Sequence, residues 1–272
     1  MNYTKLWRQL ADVYDEGEAR AIARYVLEDK FGMASADIYC GMELPDNEMM
    51  ADAVRRLMNK EPVQYVMGWA QFCGHKFAVG HGVLIPRPET EELVERIIAD
   101  GHHSPATLDI GTGSGCIAIS LALGIADANV TAWDISNEAL HIAEGNAKTL
   151  GAKVRFECQD ALAATDDNCK WDVIVSNPPY ICNKERENMD GNVLDYEPHT
   201  ALFVPDNNPL LFYRAITRYA RKALKPDGRI YFEINPIYAG IMTKMAKEEE
   251  FNFAEIFEDS FGEKRFAIIK RS

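Results

Sequence analysis

No stretch of the 272 residues approaches the ~20 consecutive apolar positions that a bilayer-spanning helix requires, so no membrane contact is expected. Basic residues are scarce: 29 Lys and Arg stand against 42 Asp and Glu, a net charge of −13. Binding to nucleic acid draws on a basic face that displaces phosphate counterions, so a bare duplex is disfavoured as a partner. Paired cysteines are missing too. Cys40, Cys73, Cys116, Cys158, Cys169 and Cys182 include no C-x-x-C pair and no histidine at metal-ligand spacing, which argues against a disulfide framework and against zinc. No metal site is expected. The opening MNYTKLWRQL has no apolar core of the kind that directs export, and a cytoplasmic location is expected. There is no internal repeat and no low-complexity tract. What remains is an ordinary globular composition, 47% hydrophobic and 26% charged, long enough for one or two domains.

Residues 1–61 carry helical periodicity without strand alternation. EGEARAIARYVLEDKFG places Ala19, Ile22, Ala23, Val26 and Leu27 on one stripe and stops at Gly32. PDNEMMADAVRRLMNKEP repeats the pattern with Val54, Leu57 and Met58, and Pro62 ends it. This predicts a small all-α N-terminal domain. Over residues 62–86 the runs VQYVMGWAQF, HKFAVG and GVLIP, separated by Gly68, Gly74, Gly80 and Gly82, predict a β-hairpin linker. From residue 87 to 272 a helix over PRPETEELVERIIAD is followed by strands alternating with helices, which predicts an α/β domain with a mostly parallel sheet covered on both faces. The last runs, FNFAEIFED and RFAIIKR, are joined by SFGEK and predict an antiparallel C-terminal hairpin.

Chemistry concentrates at the ends of the predicted strands. In LDIGTGSGCIAI an apolar strand meets a glycine-rich turn and then a helix. Gly111, Gly113 and Gly115 let the backbone approach a ligand closely, and the helix N-terminus offers free N–H groups. A nicotinamide fingerprint would want a third small residue where Cys116 stands, so that reading is broken. Asp134 follows the second strand, where a carboxylate can accept from both hydroxyls of a ribose. Asp160 closes the third, with Ala161 placed beside an adenine. An aspartate at such a place is individually more often a helix cap. Three matching strand ends in order weigh against that. NPPY, residues 177–180, follows the apolar strand WDVIVS. A conjugated nitrogen has little lone pair to give, so a site that alkylates it must orient it and draw on its hydrogens. Asn177 supplies a side-chain carbonyl and Pro178 a backbone carbonyl. Two prolines in succession contribute no competing N–H, and Tyr180 can stack on a planar group.

These segments together resemble the HemK/PrmC family, the release-factor glutamine methyltransferases. The resemblance covers nearly the whole chain and rests on VLIPRPETEELV, LDIGTGSGCIAI, SNPPYI, EPHTAL at Glu197–Leu202, and a closing D-x-x-G-x-x-R at Asp259–Arg265. It implies a Rossmann-like S-adenosylmethionine (SAM)-dependent methyltransferase sheet. The implied reaction moves a methyl group from SAM to the side-chain amide nitrogen of the glutamine in the Gly-Gly-Gln motif of class 1 peptide chain release factors, leaving S-adenosylhomocysteine. By the same resemblance Gly111, Thr112, Gly113, Ser114, Gly115, Asp134, Asp160, Ala161 and Asn177 hold SAM. Asn177, Pro178, Pro179 and Tyr180 hold the glutamine, and Arg87, Pro88, Glu89 and Thr90 line the site. The helical domain is expected to recognise the protein substrate, and the enzyme to act as a monomer without touching nucleic acid. Three other expectations compete: methylation of a ribosomal protein, adenine-amine methylation of DNA, and a non-catalytic SAM-fold binding module.

Overall fold

A computed structural model, which describes residues 1–165 and 167–271, divides the chain into two units. Asp166 and Ser272, both within the stretch assigned above to the α/β domain, lie outside the described residues. The first unit comprises Met1–Ala70 and Asp190–Tyr196, and the second takes the rest of the described chain. Among the described residues no helix is long and apolar enough to cross a membrane.

The first unit is helical: Tyr3–Leu10, Glu16–Tyr25, Ser35–Tyr39, Glu48–Met58 and Val63–Met67. Three of these helices start on side-chain caps, with Asn2, Asp15 and Asn47 accepting from the N–H groups of Lys5, Glu18 and Met50 at 3.0, 2.9 and 2.9 Å. The predicted stripe is buried, Ala19, Ile22, Ala23, Val26 and Leu27 packing with Leu6, Leu10 and Leu57. Residues 190–196 return to this unit, where the Tyr196 hydroxyl donates to the Asn59 carbonyl at 2.8 Å. The expected hairpin is shorter than the sequence suggested. Val63–Met67 is a helix, with Pro62 before it and Gly68 (φ 85°) stopping it in the left-handed conformation. Tyr65, Val66 and Met67 are buried in succession, which a strand with one solvated face does not allow. Only Trp69–Phe72 and His75–Ala78 are strands, joined through Cys73 (φ 45°) and Gly74 (φ 77°), the paired positive φ of a type I′ turn.

The sheet of the second unit has seven strands: β1 (Ala106–Ile110), β2 (Asn129–Asp134), β3 (Val154–Cys158), β4 (Trp171–Ser176), β5 (Leu224–Glu233), β6 (Phe253–Glu258) and β7 (Lys264–Lys270). Their spatial order is β6-β7-β5-β4-β1-β2-β3. Strands β1 to β5 are parallel, and β7 lies antiparallel between β5 and β6, so the predicted α/β sheet with its antiparallel closing pair is what forms. Helices α1 (Pro88–Ala99), α2 (Cys116–Gly124), α3 (Asn137–Leu150), α4 (Leu211–Ala223) and α5 (Ala239–Glu248) cover it. Alternation along the strands sends Ile174, Ile230 and Phe232 into one core with Tyr213 and Ile216 of α4 and Met242 and Met245 of α5. Val173, Val175 and Tyr231 enter a second core with Leu93, Val94 and Ile97 of α1 and Ile117 and Ile119 of α2. Each such apolar side chain contributes about 1.5–3 kcal/mol on burial.

Register decides where the site falls. Ile110 pairs with Trp133, Asp109 with Val175, and Ser176 with Phe232. The carboxyl ends of β1, β2, β4 and β5 therefore finish level, and Gly111, Asp134, Asn177 and Glu233 meet at one sheet edge. The strand order reverses between β1 and β4, the crevice where open α/β sheets bind ligands.

Candidate active site

Beyond Ile110 the chain turns through Gly111 and Gly113, whose φ values of 77° and 54° lie in the left-handed region. A Cβ added at either would meet nothing within 4 Å, so the backbone is bare on that side. Gly115 differs. A Cβ there would come within 2.9 Å of Ile119 Cδ1 and 3.0 Å of Ala143 Cβ, so this glycine seats α2 against α3. Asp134 Oδ2 accepts from the Gly113 N–H and Oδ1 from the Ser136 N–H, each at 2.9 Å. The carboxylate is thus fixed at the loop with a lone pair left on each oxygen. Asp160 Oδ1 accepts from the Leu162 N–H at 2.8 Å and caps the short turn Ala161–Ala163, while Ala161 packs against the neighbouring core.

Sequence reasoning passed over Asp109, whose only signal was an acid inside an apolar strand. It is fully buried. Oδ2 accepts from Thr112 Oγ1 at 2.6 Å and from the Ala118 N–H at 3.2 Å, whereas Oδ1 has no hydrogen-bond partner among the described residues. Burial pushes the Asp109 carboxyl up to about 7, against the opposing pull of the Thr112 and Ala118 bonds.

At the end of β4, Asn177 Nδ2 donates to Thr90 Oγ1 at 3.3 Å. Thr90, in the first turn of α1, donates in turn to Glu233 Oε2 at 2.6 Å, and the Tyr180 hydroxyl donates to Glu233 Oε1 at 3.0 Å. Glu233 sits at the end of β5, 2% exposed, and the sequence reading did not single it out. Burial raises its pKa, opposed by the Thr90 and Tyr180 bonds and by the Arg265 guanidinium. Burial, with Glu233 beside it, holds the Tyr180 phenol far above its ordinary value, so it stays protonated. Asn235 Nδ2 reaches the Tyr180 carbonyl at 3.3 Å and steadies the loop.

Arg87, expected to line the site, is held by Glu197, whose Oε1 accepts from Nη2 at 2.6 Å and whose Oε2 accepts from the Ile85 N–H at 3.1 Å. This ion pair joins IPRPET to EPHTAL. Pro88 opens α1 at a position where no N–H is needed, and Glu89 lies in its first turn. Asp259 accepts from Phe261 N–H, Glu263 N–H and Arg265 Nε, at 3.0, 2.9 and 3.1 Å, which fixes the turn between β6 and β7 and presents Arg265 toward Glu233. The six cysteines are free thiols, and among the described residues no group of three or more His, Cys, Asp or Glu could hold a metal ion.

A family model for the methyltransferase small domain matches residues 88–194. The chain is similar to a release factor glutamine methyltransferase of Bacteroides thetaiotaomicron, 44% identical over 269 residues with 97% of each chain covered. It is also similar to one of Flavobacterium psychrophilum, 40% identical over 278 residues with 98% of each covered. Among solved structures, a ribosomal protein L11 methylase from Lactobacillus delbrueckii subsp. bulgaricus matches with a TM-score of 0.50 at 22% identity, covering 70% of this chain and 82% of that one. At that identity the likeness is one of fold.

Proposed function

The chain belongs to the release factor glutamine methyltransferases, and from that membership we propose how its residues divide the work. The enzyme transfers a methyl group from SAM to the side-chain amide nitrogen of the Gly-Gly-Gln glutamine in class 1 peptide chain release factors. SAM, when bound, supplies an electrophilic methyl group on a sulfonium centre. The donor set suits it. Bare backbone at Gly111 and Gly113 admits close approach, and Asp134 keeps lone pairs for ribose hydroxyls. We assign cofactor binding to Gly111, Thr112, Gly113, Ser114, Gly115, Asp134, Asp160, Ala161 and Asn177, and the substrate side to Asn177, Pro178, Pro179, Tyr180 and the stretch from Arg87 to Thr90.

The observation that carries the mechanism is at Asn177. Its amide nitrogen is committed to Thr90, while its Oδ1 makes no hydrogen bond among the described residues. That oxygen and the Pro178 carbonyl accept the two N–H groups of the glutamine amide and turn its nitrogen toward the methyl donor. Tyr180 packs against the planar amide. No base has to act first, because the departing sulfide is neutral and the alkylated nitrogen sheds its proton afterwards. Acceleration comes from alignment and from acceptors already in place. The helical stretch 1–61 is assigned to substrate recognition, residues 62–86 to the connection and residues 87–272 to catalysis, the whole working as a cytoplasmic monomer without direct nucleic-acid contact. A buried core of its own, which Val66 and Met67 join from the connecting stretch, supports a separate helical unit.

The test uses methyl-labelled SAM with a class 1 release factor, a ribosomal-protein extract and unmethylated DNA in parallel. Label should enter the factor alone, and Asn177→Ala should lower kcat on the order of 10²–10³-fold, the cost of losing one preorganised hydrogen-bonding group. S-adenosylhomocysteine should bind the variant more weakly, since Asn177 is assigned to the cofactor as well, and saturating SAM separates that loss from the fall in kcat. Label in ribosomal protein or DNA, or undiminished transfer by Asn177→Ala, would overturn the assignment.

A further inference from the structure

A primary amide is nearly symmetric in shape, and nothing in Asn177 itself decides which end faces the substrate. If its nitrogen pointed there, two donors would confront the donors of the glutamine amide and the site would repel what it must hold. We propose that Glu233 is the positioning residue that settles this choice, setting the orientation of the Asn177 amide through the Thr90 hydroxyl and the place of the Tyr180 ring through its phenol. The inference rests on the methyl-transfer reading above and assigns the fifth strand a part in it.

An ionised carboxylate accepts and does not donate. The 2.6 Å contact between Thr90 Oγ1 and Glu233 Oε2 therefore consumes the single hydrogen of the threonine hydroxyl. What Thr90 then shows to Asn177 is lone pairs only, so the group 3.3 Å away has to be the amide nitrogen, and Oδ1 is left for the substrate. The other carboxylate oxygen accepts the Tyr180 O–H at 3.0 Å, so both sides of the acceptor cradle are tied to one side chain. Burial raises the Glu233 pKa, and the Thr90 and Tyr180 hydrogen bonds together with Arg265, carried on β7 and held by Asp259, pull toward the charged form on which this polarity depends. Thr90 and Glu233 are 3% and 2% exposed, so water is in no position to replace either bond. The Tyr213 hydroxyl donates to the Glu233 backbone carbonyl at 3.1 Å and secures the strand end itself. Glu233 touches neither substrate nor methyl donor in this account; it acts through Thr90 and Tyr180.

Replacement by glutamine tests the polarity while keeping the shape. In Glu233→Gln the new amide nitrogen can donate to Thr90, which frees the threonine hydrogen to meet Asn177 Oδ1 and turns the wrong end outward. The expected result is a fall in kcat of about 10–100-fold, the scale of a small misplacement at a reacting centre, with the dissociation constant for S-adenosylhomocysteine unchanged. Thr90→Val, which deletes the relay and keeps the volume, should give a loss of the same size. Thr90→Ser, which restores the hydroxyl, should recover most of it. Because the two groups act in series, the double variant Glu233→Gln with Thr90→Val should be no slower than either single one, whereas independent packing defects would multiply. Full kcat in Glu233→Gln, no recovery in Thr90→Ser, or multiplied losses in the double variant would each overturn the proposal. Should Glu233→Gln fail to fold, the Thr90 pair still decides. Absence of transfer by the unsubstituted protein would instead overturn the reaction itself, so the two failures are distinguishable.

Discussion

A carboxylate buried with one oxygen unbonded, as at Asp109, holds a proton more tightly folded than unfolded. Its folded pKa of about 7 stands against an unfolded value near 4. Between those limits the native state keeps a proton that the unfolded chain has lost, so this group makes stability fall as pH rises through the window and leaves it level above. Asp109→Asn should remove that slope, which approaches about 1.4 kcal/mol per pH unit in mid-window. Urea unfolding from pH 4 to 7 should show the variant gaining on the parent as pH rises; a difference flat with pH would contradict the assignment. Gly111→Ala places a methyl group in the open side of the turn at φ 77°. It should cost about 1–2 kcal/mol in stability and weaken S-adenosylhomocysteine binding about tenfold by calorimetry. Gly111, Gly113, Asp134 and NPPY were legible in the sequence because each is a local motif at a strand end. Glu233 was not, since its bond to Thr90 joins residues 143 positions apart and exists only once α1 packs against β5.

At the level of elements, the ion pair between Arg87 and Glu197 ties the entry of α1 to the segment that follows NPPY. The Glu197 side chain is 1% exposed and that of Arg87 35%, so an amide in place of the acid, with one acceptor oxygen left, removes the charge and one of the two bonds to the half-buried guanidinium and the Ile85 N–H. Glu197→Gln should destabilise the protein by about 2–3 kcal/mol, below the 3–5 kcal/mol of a fully buried pair because water reaches the arginine. Denaturant titration measures this, and a change under half a kcal/mol would show the pair to be incidental. The sheet with its antiparallel closing strands was readable from alternation and the turn at SFGEK. The helix Val63–Met67 was not. Its run of β-prone residues reads as strand, and consecutive burial between Pro62 and Gly68 overrode that preference.

For the molecule as a whole, positions 1–82 carry 9 basic and 12 acidic residues, net −3, so −10 of the total charge lies in the remainder. An acidic enzyme suits a basic face on its protein substrate, and the KM for the release factor should rise several-fold from low to high salt while the KM for SAM moves little. A KM for the factor that ignores salt would contradict this. Residues 190–196 show what sequence order conceals: flanked by NPPY and EPHTAL, they belong with the helical unit, and no local pattern announces it. The most direct test of the central claim is tandem mass spectrometry of a class 1 release factor after incubation with the enzyme and SAM. One added methyl group is expected, on the side-chain amide of the Gly-Gly-Gln glutamine. A methyl group on any other residue, or an unmodified factor in the presence of bound SAM, would contradict it.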